Sequence, residues 1–151
     1  MNWYSKIVED ISNLPSMIAY YENEIENSRG DVIIHGNVEK SLKDLPGITE
    51  NIFAKLQELE AVLRYMELQL RKLRRTYFQK YLENYNRTLT SRDAEKYTEG
   101  ENSVVDYECL INEVALIRNK YLGLMKALDQ KSYMLGHITR LRTAGMEDVS
   151  I

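Results

Sequence analysis

The sequence predicts an all-α protein: a long antiparallel helical hairpin with heptad seams, preceded by N-terminal helices, within an oligomeric helical bundle. Three observations carry this reading. Only 7 Gly and 2 Pro occur in 151 residues, too few for a loop-rich or all-β chain. Apolar residues recur at alternating spacings of four and three over two long stretches, the pattern of helices that bury one stripe. About twenty mostly polar residues join the two stretches, enough to turn the second helix back along the first.

Residues 1–46 form an N-terminal helical arm. Trp3, Ile7, Ile11, Leu14 and Ile18 share one helical face between Trp3 and Asn27. Leu14-Pro15 breaks or kinks this helix, and Ser16 restarts it. Arg29-Gly30-Asp31 ends it. Val32-Ile33-Ile34 is a short β-branched run, readable equally as a strand that pairs with another subunit or as an extended connector. Asn37 to Leu45 reads as a short helix stopped by Pro46-Gly47.

Residues 47–146 form the hairpin core. From Thr49 onward, Ile52, Leu56, Leu59, Leu63, Met66, Leu70, Leu73 and Tyr77 make an unbroken heptad seam. A helix reaching Tyr85 would be roughly 55 Å long. Beyond Tyr77 the seam fails, because Lys80 and Asn84 take its next positions. Tyr77, Tyr81 and Tyr85 continue instead at intervals of four. The connector, 87–105, holds a short helix: Thr90, with Asp93 three residues on, has capping-box character, and Gly100 ends it. Asp106 caps the second long helix, striped by Leu110, Val114, Ile117, Tyr121, Leu124, Leu128, Leu135 and Ile138. Lys131 interrupts that stripe, and Thr143-Ala144-Gly145 stops the helix, leaving 147–151 as a tail. Cys109, next to Leu110, fits a small buried thiol. Gly123 and Gly136 each cost about 1 kcal/mol relative to Ala in a helix interior, which implies close helix–helix approach. A lone hairpin leaves the flanks of its seams wet. Leu56, Leu59, Leu63, Met66, Leu70, Leu73 and Tyr77 are therefore assigned to assembly, with the N-terminal helices or further copies closing the core.

Much chemistry is missing. The two histidines, His35 and His137, have no partner at metal-ligand spacing, and no Gly-rich loop resembles a phosphate cradle. One cysteine permits no intrachain disulfide, which suits a reducing interior. No apolar run approaches the ~18–20 residues that span a bilayer, and the N-terminus lacks the layout of a secretion signal. The expectation is a cytoplasmic protein that is not an enzyme, with no cofactor, no metal and no membrane.

Charge is distributed unevenly. Residues 1–70 carry six basic and twelve acidic side chains, whereas 71–151 carry fourteen and eleven. The stretch RKLRRTYFQKYLENYNRTLTSR, Arg71 to Arg92, holds seven Arg or Lys residues and a single acid, Glu83. Arg71, Lys72 and Arg75 point away from the seam and Arg74 flanks it. Lys80 lies further along, with Arg87 and Arg92 in the connector. A solvated helix end explains positive charge only near the last turn, and Arg71 is about four turns from Tyr85. Phe78 is off the seam, over Arg74 and Arg75, placed to stack a base. Tyr77 is a seam position and packs, while Tyr81 and Tyr85 suit either role.

The basic helix RKLRRTYFQKYLENY, the connector RTLTSRDAEKYTEGE and the helical segment DYECLINEVALIRNKYLGLMKALDQKSYMLGHITRLRTAG together resemble the UvsY family, the recombination mediators of T4-type phages. The resemblance covers roughly residues 50–145. It implies single-stranded DNA binding, ring-like homo-oligomers, and loading of a RecA-like recombinase onto DNA coated with single-strand-binding protein. It makes Arg71, Lys72, Arg74, Arg75 and Lys80 phosphate contacts, places Tyr77 and Phe78 as the aromatics beside them, and leaves the acidic N-terminal half for protein partners. The connector after Tyr85 lacks the family's Gly-rich character, which sets Arg87 and Arg92 behind the helix residues. The rival reading is a phage structural or scaffold protein assembled through helical bundles, its basic stretch solvated or neutralised by acidic neighbours.

Overall fold

The computed structural model describes residues 2–84 and 89–145, and among these every regular element is helical. The elements are α1 (Trp3–Glu9), α2 (Leu14–Ser28), α3 (Val38–Asn84), α4 (Ser91–Glu99) and α5 (Asn102–Thr143), with 3-10 turns at Ile11–Asn13 and Arg29–Val32. The all-α class predicted from the spacing is what the chain adopts. Two compact units result: Met1–Leu59 with Ile117–Ile151, and Glu60–Leu116. The division thus cuts across both long helices.

In the first unit, the break in the N-terminal helix comes earlier than Pro15. The Asn2 side chain accepts from the Ser5 N–H and caps α1, and the chain leaves the helix at Asp10, whose side chain accepts from the Ser12 N–H. Pro15 then sits in the first turn of α2, where a missing N–H costs nothing. This shift rotates the stripe. Trp3, Ile7 and Leu14 are buried as expected, but Ile11 is exposed, and Met17, Tyr21, Ile25 and Ser28 continue the buried face. Val32-Ile33-Ile34 forms no strand. Val32 closes a 3-10 turn and Ile33 is extended and exposed, the connector arrangement. Gly36 takes φ +69°, a conformation that favours glycine, immediately before Asn37 accepts the Lys40 N–H and starts α3.

Helix α3 does not stop at Pro46. Val38, Leu45, Ile52 and Leu59 follow at intervals of seven and all are buried, so one seam runs through the proline. Pro46 is exposed and removes one backbone bond, to the carbonyl of Leu42, a residue exposed enough for water to replace it. The Thr49 hydroxyl donates to the Leu45 carbonyl at 2.8 Å. Continuous burial outweighs a local breaker.

Helix α2 lies between α3 and α5 in this unit. The Tyr21 hydroxyl donates to Glu58 Oε2 at 2.6 Å, Lys55 pairs with Glu24 at 2.5 Å, and the Tyr121 hydroxyl donates to the Tyr21 carbonyl at 3.1 Å. The α5 stripe is buried at Ile117, Tyr121, Leu124, Leu128, Leu135 and Ile138. Lys131 is buried with it. Within one chain Gly123 and Gly136 show no close approach: a Cβ built on either meets nothing within 4 Å among the described residues.

In the second unit, α3 and α5 run antiparallel. The Tyr77 hydroxyl donates to Ser103 Oγ at 3.1 Å, and three residues earlier on α3 the Arg74 guanidinium pairs with Glu108, five residues later on α5. Val62, Leu63, Met66, Leu70, Ala94, Val104 and Val114 are its buried apolar residues. Each buried Val, Leu or Met here contributes roughly 1.5–3 kcal/mol, and Ala94 less. Helix α5 begins at Asn102, four residues before Asp106. Cys109 is exposed, not buried, because it lies one residue round the helix from the stripe. Five of the seven seam residues assigned to assembly are covered within one chain. Leu56, Leu59, Leu63, Met66 and Leu70 are buried, while Leu73 and Tyr77 are half-buried. A heptad pattern records that a stripe is covered, not whether its cover is the same chain.

Candidate nucleic-acid interface

The basic stretch occupies the C-terminal part of α3, which is continuous from Val38 to Asn84. Two faces separate along it. On the seam side, Tyr77 reaches Ser103, Tyr81 donates to Glu101, and the Tyr81 ring stacks on Tyr97 with centroids 5.4 Å apart. These tyrosines hold α3 to α4 and α5. Tyr85 lies outside the described residues.

On the opposite side a second alternation of four and three appears: Arg64, Leu68, Arg71, Arg75, Phe78 and Leu82. It mixes cations with apolar groups, so a search for apolar periodicity passes over it. Leu68 is 50% exposed and Leu82 41% exposed. Arg64, Arg71, Lys72 and Arg75 are all exposed and have no carboxylate partner among the described residues. Arg74 is spent differently, on its pair with Glu108. Lys80 is exposed, with its ammonium 5.7 Å from the centre of the Tyr77 ring. Arg92 is also exposed, but it belongs to the first turn of α4. Arg87 lies outside the described residues. Of the eight cation and aromatic positions singled out from sequence, the helix therefore presents Arg71, Lys72 and Arg75 as open charges, with Phe78 half-buried beside them.

A groove of about 520 Å³ adjoins this face, lined by Arg74, Arg75, Phe78, Glu95, Thr98 and Glu99. Helix α4 supplies its second wall. The Thr90 hydroxyl accepts from the Asp93 N–H at 3.2 Å, the cap predicted from sequence, and Ala94 and Thr98 are buried. Burying residues four apart turns their neighbours Glu95 and Glu99 together toward the groove. Sequence inspection missed these two acids, although the Ala94–Thr98 spacing within a capped helix is the signal that places them. Residues 60–116 as a whole hold nine basic and ten acidic side chains. The positive field is thus local to the outer face of α3 and reaches about one Debye length, ~8–10 Å, at moderate salt.

Among the described residues no three His, Cys, Asp or Glu side chains are grouped to hold a metal ion. No helix among them is long and apolar enough to cross a membrane. Comparison with known protein families, with curated proteins and with solved structures finds no match to this chain.

Proposed function

We propose that this chain is a non-enzymatic single-stranded DNA-binding protein, a recombination mediator that loads a RecA-like recombinase onto DNA coated with single-strand-binding protein. One observation supports the DNA-binding part above the rest: Arg71, Lys72 and Arg75 stand open on α3 with no carboxylate partner among the described residues, and Phe78 lies alongside. Cations next to a ring of accessible π-face suit a phosphate backbone carrying stackable bases. The mediator role, the recombinase and the phage setting in a host cytoplasm rest on the resemblance of residues 50–145 to the UvsY family.

Each chain neutralises few phosphates, so a single copy binds weakly. A homo-oligomer, ring-like in this reading, repeats the site and raises avidity. Leu56, Leu59, Leu63, Met66 and Leu70 are already covered within one chain, which leaves the half-buried Leu73 and Tyr77 and other surfaces for copies to meet through.

A salt titration of a labelled single strand tests the proposal. Affinity should fall as salt rises, with a slope of about −0.7 per phosphate neutralised. Replacing Arg71, Lys72 and Arg75 by Ala should each flatten the slope, by about one unit at most. Arg74→Ala should change it less, because that guanidinium already serves Glu108. Absence of binding at low salt sinks the reading.

The scaffold alternative draws on the Arg74–Glu108 pair and the Tyr77 and Tyr81 contacts, which spend part of the stretch on joining helices. It requires that a variant with Arg71, Lys72 and Arg75 all replaced by Ala behave like the wild type toward DNA.

A further inference from the structure

The groove beside the open cations contains more than a phosphate backbone needs. One wall is cationic, with Arg74 committed to Glu108 and Arg75 without a carboxylate partner among the described residues. The other wall presents Glu95 and Glu99, four residues apart on α4, and neither is ion-paired among the described residues. Phe78 lines the same groove. The Thr98 hydroxyl donates to the Ala94 carbonyl at 2.7 Å and so is already engaged. Two unpaired carboxylates repel phosphate, so anion binding does not account for this wall.

A planar ligand with donors on one edge and acceptors on another does account for it. Among the DNA bases, guanine presents two adjacent donors, N1–H and the N2 amino group, on its Watson–Crick edge. It presents two adjacent acceptors, O6 and N7, toward the other edge. A carboxylate accepts from the first pair and a guanidinium donates to the second, while the ring stacks on an aromatic. Adenine and cytosine place a ring acceptor beside their amino group, and that acceptor would face a carboxylate. Thymine offers one N–H between two carbonyls.

We propose that this groove is a guanine subsite. Glu95 or Glu99 accepts from the Watson–Crick edge, Arg75 donates to O6 and N7, and Phe78 stacks the base. The inference rests on the single-strand reading above and adds to it a base preference. Arg75 takes this donor role where a guanine is seated and otherwise meets phosphate, as Arg71 and Lys72 do throughout.

The test compares short thymidine tracts carrying isolated guanines with the same tracts carrying isolated adenines, by fluorescence anisotropy of the full chain at one low salt concentration. Both purines stack, so stacking alone predicts nearly equal affinities. The guanine strand should bind about five-fold tighter. Glu95→Gln with Glu99→Gln should erase that difference and leave binding to plain thymidine tracts intact, which also shows the variant folded. Inosine, lacking the amino group, and 7-deazaguanine, lacking N7, should each lose part of the preference. Equal affinity for the two purine strands, or a preference that survives the double substitution, overturns the subsite. Failure of every strand to bind at low salt overturns the single-strand reading with it. Salt-dependent binding without a guanine preference removes the subsite alone.

Discussion

The Nζ of Lys131 donates to the backbone carbonyl of Asp31 at 2.6 Å, joining positions 100 residues apart. Lys131 occupies a seam position of α5 and is 5% exposed, so its methylene stem packs with the stripe while its head group meets the turn that follows α2. The interruption in the heptad pattern is therefore a clasp between α5 and the N-terminal arm. Lys131→Met keeps the stem and deletes the donor. It should destabilise the protein by about 1–3 kcal/mol, the penalty for an unsatisfied carbonyl, read as a lower urea midpoint with an unchanged m-value. An unchanged midpoint would mean that water replaces the ammonium at no cost.

Tyr21 and Tyr121 predict how stability responds to alkali. Their rings meet edge to face with centroids 5.7 Å apart, and both are fully buried. Burial, and then the hydrogen bond to Glu58, push the Tyr21 hydroxyl far above its ordinary range; burial, and then the Glu24 charge, do the same for Tyr121. The unfolded chain releases these protons near pH 10, whereas the folded chain keeps them. Above that pH the unfolded state binds fewer protons, so stability falls as pH rises. Urea midpoints should hold steady from about pH 7 to 9 and drop between about pH 10 and 11. Tyr21→Phe should shallow that drop while lowering the neutral midpoint through loss of the Glu58 bond. A drop as steep in the variant as in the wild type would assign the alkaline loss to other groups.

Pro46 lies inside α3, where proline costs about 3 kcal/mol relative to Ala through a missing bond and a clash with the preceding turn. Pro46→Ala restores a donor for the Leu42 carbonyl. It also loosens the unfolded chain, which takes back about 0.4–1 kcal/mol. Net stabilisation of about 2 kcal/mol should appear as a higher midpoint in thermal or urea unfolding. A loss of stability would show that the helix needs a bend at this point.

Periodicity made the fold class legible because every buried stripe is a run of like residues at fixed spacing. It served less well where a single residue competes with that spacing. Pro46 and Gly47 suggest a stop only if Val38 and Leu45 are not counted into the seam. Asp106 invites a cap, yet α5 starts at Asn102, because Val104 is buried and extends the stripe backward. The candidate site was legible only in part. Arg71, Lys72 and Arg75 follow from their angle to the seam. Arg74 pairs with Glu108, and Glu95 and Glu99 reach the groove, through contacts between separate helices that no local pattern encodes. Cys109 shows the same limit in reverse: one residue from a stripe is about 100° round a helix, enough to carry a side chain from core to solvent.

Gly123 and Gly136 both lie inside α5. Glycine inside a helix costs about 1 kcal/mol relative to Ala, and the usual compensation is a neighbour that needs the space of the missing Cβ. Here a Cβ at either position meets nothing within 4 Å. In a single chain, Gly123→Ala and Gly136→Ala should therefore each stabilise by about 1 kcal/mol. The pair should add, since the sites are about 20 Å apart along α5. Thermal unfolding at low protein concentration measures this. Repeating it at high concentration, alongside sedimentation, separates a second effect. If another copy packs its backbone against this face, the substitutions stabilise the dilute chain but weaken its association. Destabilisation in the dilute chain would instead reveal a close contact within α5's own surroundings and would contradict the open space observed there.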